Sequence, residues 1–142
     1  MSLISEGAHL PPFALLDLQS GRRVEYAAFL RSRRIVVLVV NDAGKAWLAG
    51  AVREAKAFAE RDLTVLAVTK SDEKPGNLPP HFHVLHDADG AVATKLGGAG
   101  AFYLVGKDTG IKIAGRVPVP VPALFRTIDA MPMRKQEAQG RG

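Results

Sequence analysis

An α/β fold with a mixed central sheet flanked by helices is what three features of the sequence predict. Residues 35–40 read Ile-Val-Val-Leu-Val-Val, and all but Leu38 are β-branched. A short unbroken run of this kind suits a strand buried on both faces, because a strand with one face in water would alternate. Residues 63–69 are similarly apolar, and the stretch between the two runs carries apolar side chains at helical spacing. Two buried strands joined by an amphipathic helix make a right-handed βαβ unit, hence a parallel pair. Residues 101–105 and 111–115 flank Lys107, Asp108, Thr109 and Gly110, which predicts a hairpin and an antiparallel half of the sheet.

The chain of 142 residues suits one domain over residues 1–131, followed by a mobile basic tail over 132–142 that has almost nothing to bury. No apolar run approaches the ~18 residues needed to span a bilayer. The first seven residues lack the basic-then-apolar order of a secretory signal, so a cytoplasmic protein is expected. There is no cysteine, which excludes disulfides, thiolate nucleophiles and thiolate metal sites. A formal charge of +5 favours anionic partners only where it is concentrated. Much of it falls in Arg22, Arg23, Arg31, Arg33 and Arg34, and in Arg134, Lys135 and Arg141. Few aromatic side chains lie among them to stack on bases, so they read as solvated surface and argue against nucleic acid. Weak polyanion binding through these arginines remains an alternative.

Along the chain, Pro11 and Pro12 introduce a first strand over residues 13–18, and Gly21 serves the turn after it. Residues 26–30 suggest a helical turn or two. Asp42 is the expected N-cap of the main helix, in which Leu48, Ala51, Val52, Ala55, Phe58 and Ala59 form one buried face as far as about Arg61. Residues 82–86 form a short extended segment, and Asp87 and Asp89 open a short helix that ends at Gly97 and Gly98. Gly97, Gly98 and Gly100 read as a flexible turn, since a loop after a helix and before a strand reverses the order of a phosphate loop. Residues 117–122 alternate Val with Pro and should be extended. Pro122 then opens a last helix with Leu124, Ile128 and Met131 inward.

Four stretches resemble the thioredoxin-like fold, most closely the peroxiredoxin family of alkyl hydroperoxide reductases and thiol-specific antioxidants. They are Gly7 with Pro11, Pro12, Phe13, Ala14, Leu15, Asp17 and Gly21; the strand at 35–40; residues 84–90 with Leu96 and Gly97; and residues 102–105 with Gly110 and Ile111. The resemblance covers roughly residues 7–130 and implies a thioredoxin-like three-layer sandwich. It also implies a peroxide-attacking cysteine after the central strand, a position that falls near Ala49, or a cysteine pair near Lys45 and Leu48. None of these residues can attack a peroxide. The proline and the arginine that such folds carry near Ala101 are missing too, and a fold without its site residues does not carry the function.

The expected function is therefore non-catalytic: a binding or interaction module without peroxidase activity and without a cofactor. Asn41, Asp42, Lys45 and Trp47 stand where the family's site would be. Together they suggest a small pocket, with Lys45 and the helix amides for an anion and Trp47 as an apolar wall. The competing expectation is that Asn41 and Asp42 merely cap the helix while Trp47 packs against the sheet. His81, His83 and His86 give a metal-dependent or other non-thiol enzyme as an alternative, since His81 and His83 would share a strand face. The partner is expected to be a protein or a small anionic ligand, with no membrane involved and a homodimer left open.

Overall fold

The computed structural model describes residues 2–141, so Met1 and Gly142, the outer ends of the expected domain and tail, lie outside the described residues. In chain order the elements are β1 (Ala14–Asp17), β2 (Arg23–Glu25), a 3-10 turn (Tyr26–Phe29), β3 (Arg34–Val39), α1 (Asp42–Arg53), α2 (Ala55–Glu60) and β4 (Leu63–Thr69). There follow β5 (Phe82–His86), α3 (Ala91–Lys95), β6 (Phe102–Val105), β7 (Ile111–Gly115), α4 (Val121–Asp129) and α5 (Pro132–Arg141). The strands form one mixed sheet in the order β2-β1-β5-β4-β3-β6-β7. The unbroken apolar run becomes its centre: β3 pairs parallel with β4, Val37 opposite Leu66, and antiparallel with β6, Val37 opposite Tyr103. No helix among the described residues is long and apolar enough to cross a membrane.

Alternation along β3 divides the core in two. Ile35, Val37 and Val39 join Leu66, Val68, Tyr103 and Val105 on one face, against the 3-10 turn, the N-terminal segment and α3. Val36 and Leu38 join Val65, Phe102 and Leu104 on the other, against α1, α2 and α4, with Phe58, Leu124 and Ile128 buried there. The result is three layers, helix on sheet on helix.

The structure departs from the sequence reading at several points. The main helix breaks at Glu54, whose φ of −103° and ψ of 21° leave the helical region, and α2 turns Phe58 into a ring cluster with Trp47, Phe82 and Phe125. Asn41 rather than Asp42 is the N-cap of α1. The polar edge strand β2 carries no periodicity that a sequence could show. Gly97, Gly98 and Gly100 are buried and have positive φ, so they form a packed turn and not a loose one. A Cβ on Gly97 would stand 3.1 Å from the Ser2 carbonyl oxygen and 3.2 Å from the Tyr103 hydroxyl.

The arginine cluster and the tail differ most. Arg33 is not solvated surface: it donates to the Thr64 hydroxyl at 3.0 Å and to the Leu63 carbonyl at 2.9 Å. Arg34 is only 1% exposed. Residues 132–141, expected as a mobile tail, form helix α5, in which Glu137 meets Arg34 and Lys107 while Arg134 donates to the Glu60 carbonyl at 3.0 Å. The helix has charged partners where apolar ones were lacking, and Arg34, which pairs with its Glu137, is withdrawn from the surface, while Arg22, Arg23 and Arg31 stay exposed.

Two outcomes follow from this packing. Leu38→Ala is expected to cost about 2–5 kcal/mol in denaturant unfolding. Leu16→Ala, at a side chain 45% exposed, should cost about 0.5 kcal/mol or less. Burial opposes ionisation of Glu137, but hydrogen bonds and charge from Arg34 and Lys107 outweigh it and hold the carboxyl below its ordinary value of 4.5. A carboxyl depressed in the folded state stabilises above its unfolded pKa and loses that contribution as pH falls through the folded one. Acidification below pH 4.5 should therefore strip hydrogen-exchange protection from α5 while β3 keeps its own.

Candidate functional site

At the C-terminal ends of β3 and β4 the chain leaves the sheet toward α1 on one face, while α3 covers the other. Between them opens a cleft of about 440 Å³. Open α/β sheets commonly bind ligands at such a position, outside the carboxyl ends of their central strands. Asn41, Asp42 and Lys45 line the α1 side, Thr69, Lys70 and Ser71 the side that continues β4, and Thr94 and Gly98 the far wall. A more open hollow of about 370 Å³ adjoins through Lys45, Thr69 and Ser71, and adds Lys74 and Glu73.

Three of the four residues expected at the site meet here. Asn41 has a structural duty: its Oδ1 accepts from the Gly44 amide at 2.9 Å, which satisfies one donor of the helix start. Its amide nitrogen also lies so close to Gly100 that a Cβ there would come within 2.7 Å of it. Asp42 and Lys45 are exposed in the first turn of α1, and Lys70 is exposed across the cleft. Among the described residues no carboxylate lies within ion-pair distance of Lys45 or Lys70.

Trp47 stands elsewhere. Its indole N–H donates to the Val119 carbonyl at 2.7 Å, and its ring meets Phe102 edge-on at 5.2 Å and Phe58 at 6.2 Å. It thus ties the extended Val-Pro segment down over α1 and lines neither hollow. Ala49 is exposed on α1 one turn beyond Lys45, and Leu48 is half-buried beside it, so the positions matched to cysteines carry an ammonium and apolar groups.

The three histidines do not converge. His83 Nδ1 lies 2.7 Å from Asp17 Oδ2, and Asp17 also accepts from the Gln19 and Ser20 amides at 2.8 and 3.2 Å. Burial opposes ionisation of Asp17, but the His83 and amide hydrogen bonds prevail and lower its pKa. His86, three residues on, faces the other side of β5. His81 precedes the strand with φ +72°, and burial together with the Arg33 charge lowers its pKa. No three His, Asp or Glu side chains among the described residues could hold a metal ion.

Sequence reasoning missed Lys70, Ser71 and Thr94. They sit in loops or on a one-turn helix with no periodicity, and they reach the cleft only because β4 and α3 end beside α1. The one available signal was position, since Lys70 directly follows the second buried strand.

Residues 25–137 match a family described as a domain of unknown function, DUF4174. The chain belongs to that family. No curated protein matches its sequence. Among solved structures it is similar to the reduced 2-Cys peroxiredoxin of Plasmodium vivax, at 16% identity and a TM-score of 0.74 over 95% of this chain and 84% of that one. It is also similar to the peroxidoxin BcpB of Mycobacterium tuberculosis, at 16% identity and a TM-score of 0.72 over 89% of this chain and 97% of that one. AhpC of the same organism matches at 19% identity and a TM-score of 0.69, over 91% and 93% of the two chains. This DUF4174 chain therefore has the thioredoxin-like fold of peroxiredoxins, as the resemblance implied, and none of the cysteine that the resemblance also implied.

Trp47 is the only tryptophan, so its surroundings can be read directly. Its emission should be blue-shifted and weakly quenched by iodide. Trp47→Phe, which keeps ring contacts but loses the bond to Val119, should cost about 1 kcal/mol, and Trp47→Ala about 3–5 kcal/mol.

Proposed function

We propose that this DUF4174 protein is a non-catalytic binding module that holds an anionic group in the cleft beside α1. The group would belong to a small ligand or to an acidic segment of a partner protein. The observation that carries this reading is the pair Lys45 and Lys70, facing one hollow of about 440 Å³ across the start of α1 without carboxylate partners among the described residues. Two ammonium groups and the positive end of a twelve-residue helix favour negative charge there. Asp42 at the rim opposes it and would select a ligand that keeps to the Lys45–Lys70 side.

A calorimetric titration with citrate tests the reading. Saturable binding is expected, weakened about tenfold or more, roughly 1.4 kcal/mol, in the double variant Lys45→Ala/Lys70→Ala. Binding that the double variant leaves unchanged would refute the cleft as the site. The same protein should consume no hydrogen peroxide with dithiothreitol as reductant, because it has no thiolate to be oxidised.

A further inference from the structure

The opposite end of β3 carries a second cationic site. Arg34 is the one basic side chain buried among the described residues, at 1% exposure. Its Nη1 and Nη2 donate to the two carboxylate oxygens of Glu137 at 3.0 and 3.2 Å, and Nη1 also donates to the Arg61 carbonyl at 2.9 Å. Lys107 Nζ donates to Glu137 Oε2 at 2.7 Å and to Asp62 Oδ2 at 2.8 Å. Arg34 Nε is buried without a partner. Beside these groups lies a hollow of about 100 Å³ bounded by Arg34, Lys107, Asp108, Lys112, Met131 and Met133.

The carboxylate that fills this site belongs to a helix otherwise tied to the domain through Arg134, which donates to the Glu60 carbonyl and to Asp129. α5 has ten residues, and a helix of that length is marginal in water when isolated. Of residues 132–140, only Arg134 and Glu137 are even half-buried, and both are charged. No apolar stripe fixes α5 to the domain. Arg34 belongs to β3 and cannot follow if α5 lifts. Lys107 would keep Asp62, but the buried Arg34 guanidinium would lose its carboxylate and require another anion or water, because uncompensated buried charge is strongly unfavourable. Glu137 takes only the outer nitrogens of Arg34, so a tetrahedral oxyanion has acceptor oxygens to spare for Nε.

We infer that Arg34 and Lys107 form a binding site for a phosphate-type oxyanion, which helix α5 closes by presenting Glu137 as an internal ligand. Docking of α5 and binding of an external oxyanion exclude each other. The site is independent of the cleft at Lys45 and Lys70, since it is built on the other end of the sheet.

The test uses the full chain and inorganic phosphate, at an ionic strength held constant with sodium chloride. Glu137→Ala opens the site without touching the cleft, so any binding at Lys45 and Lys70 cancels in the comparison. Relative to the unmodified protein, this variant should bind one further phosphate, at least tenfold more tightly by calorimetry. Adding Lys107→Ala should abolish that gain. Equal binding by the unmodified protein and Glu137→Ala, or a gain that survives Lys107→Ala, overturns the inference. Should Glu137→Ala not fold, hydrogen exchange on the unmodified protein decides. Phosphate should speed exchange of the α5 amides relative to sodium chloride at equal ionic strength, and α5 exchange unchanged by phosphate overturns it equally.

Discussion

Burial of β3 on both faces is the constraint on which the remaining structure depends. Six successive buried residues require a neighbour on each edge and a layer on each face. β4 and β6 meet the first demand, and the helices above and below meet the second. The strand's polar ends then cannot sink into either core. At one end the chain turns through Asn41, whose side chain closes the first turn of α1; at the other stands Arg34, whose guanidinium needs acceptors that the sheet cannot supply. Both polar sites of the molecule are consequences of where the apolar run starts and stops.

The two ends solve different problems. At the C-terminal end of β3 the backbone itself supplies the favourable field, through a helix start, and the lysines stand free in solvent, where screening keeps each contribution small. At the N-terminal end the charge is inside, desolvated, and must be matched by geometry: the Arg61 carbonyl and a bidentate carboxylate from α5, which Arg34 shares with Lys107. The first arrangement tolerates an empty cleft at little cost. The second does not tolerate an empty site, which is why the chain carries its own anion.

The central strands, the parallel crossover, the hairpin and the inward faces of α1 and α4 were legible because each is written in consecutive residues with one period. Leu124 and Ile128, four apart, had to face the sheet. The break at Glu54 was not legible, because the apolar spacing from Leu48 to Ala59 continues through it; ring packing around Phe58 decides it, and that packing involves residues far along the chain. The candidate site was half legible. Asn41, Asp42 and Lys45 follow directly from the end of the strand, whereas Lys70 and Thr94 come from separate elements. Trp47 was left between a pocket wall and packing against the sheet, and the structure packs it; its helix position alone does not tell that Val119, seventy-two residues later, accepts its N–H. Arg34 and the tail were misread for the same reason, since Arg34 meets Glu137 across a separation of 103 residues.

The local structure around α1 also decides which groups of the cleft are fixed and which can adjust. A reactive group at a helix start has to stay reachable and keep its hydrogen-bonding options open. In this chain the Asn41 side chain occupies the Gly44 amide, Gly100 leaves room for that side chain and nothing larger, and Trp47 clamps the Val-Pro segment across the helix. Each of these fixes the frame, and none presents a group able to attack or to accept a proton near neutral pH. What remains adjustable is the rim, where Lys45, Lys70 and Ser71 are exposed and long or small enough to adapt. The cleft thus joins a fixed floor to an adaptable charged rim, so the proposed anion site would need the long lysine side chains to reorganise and not the backbone beneath them.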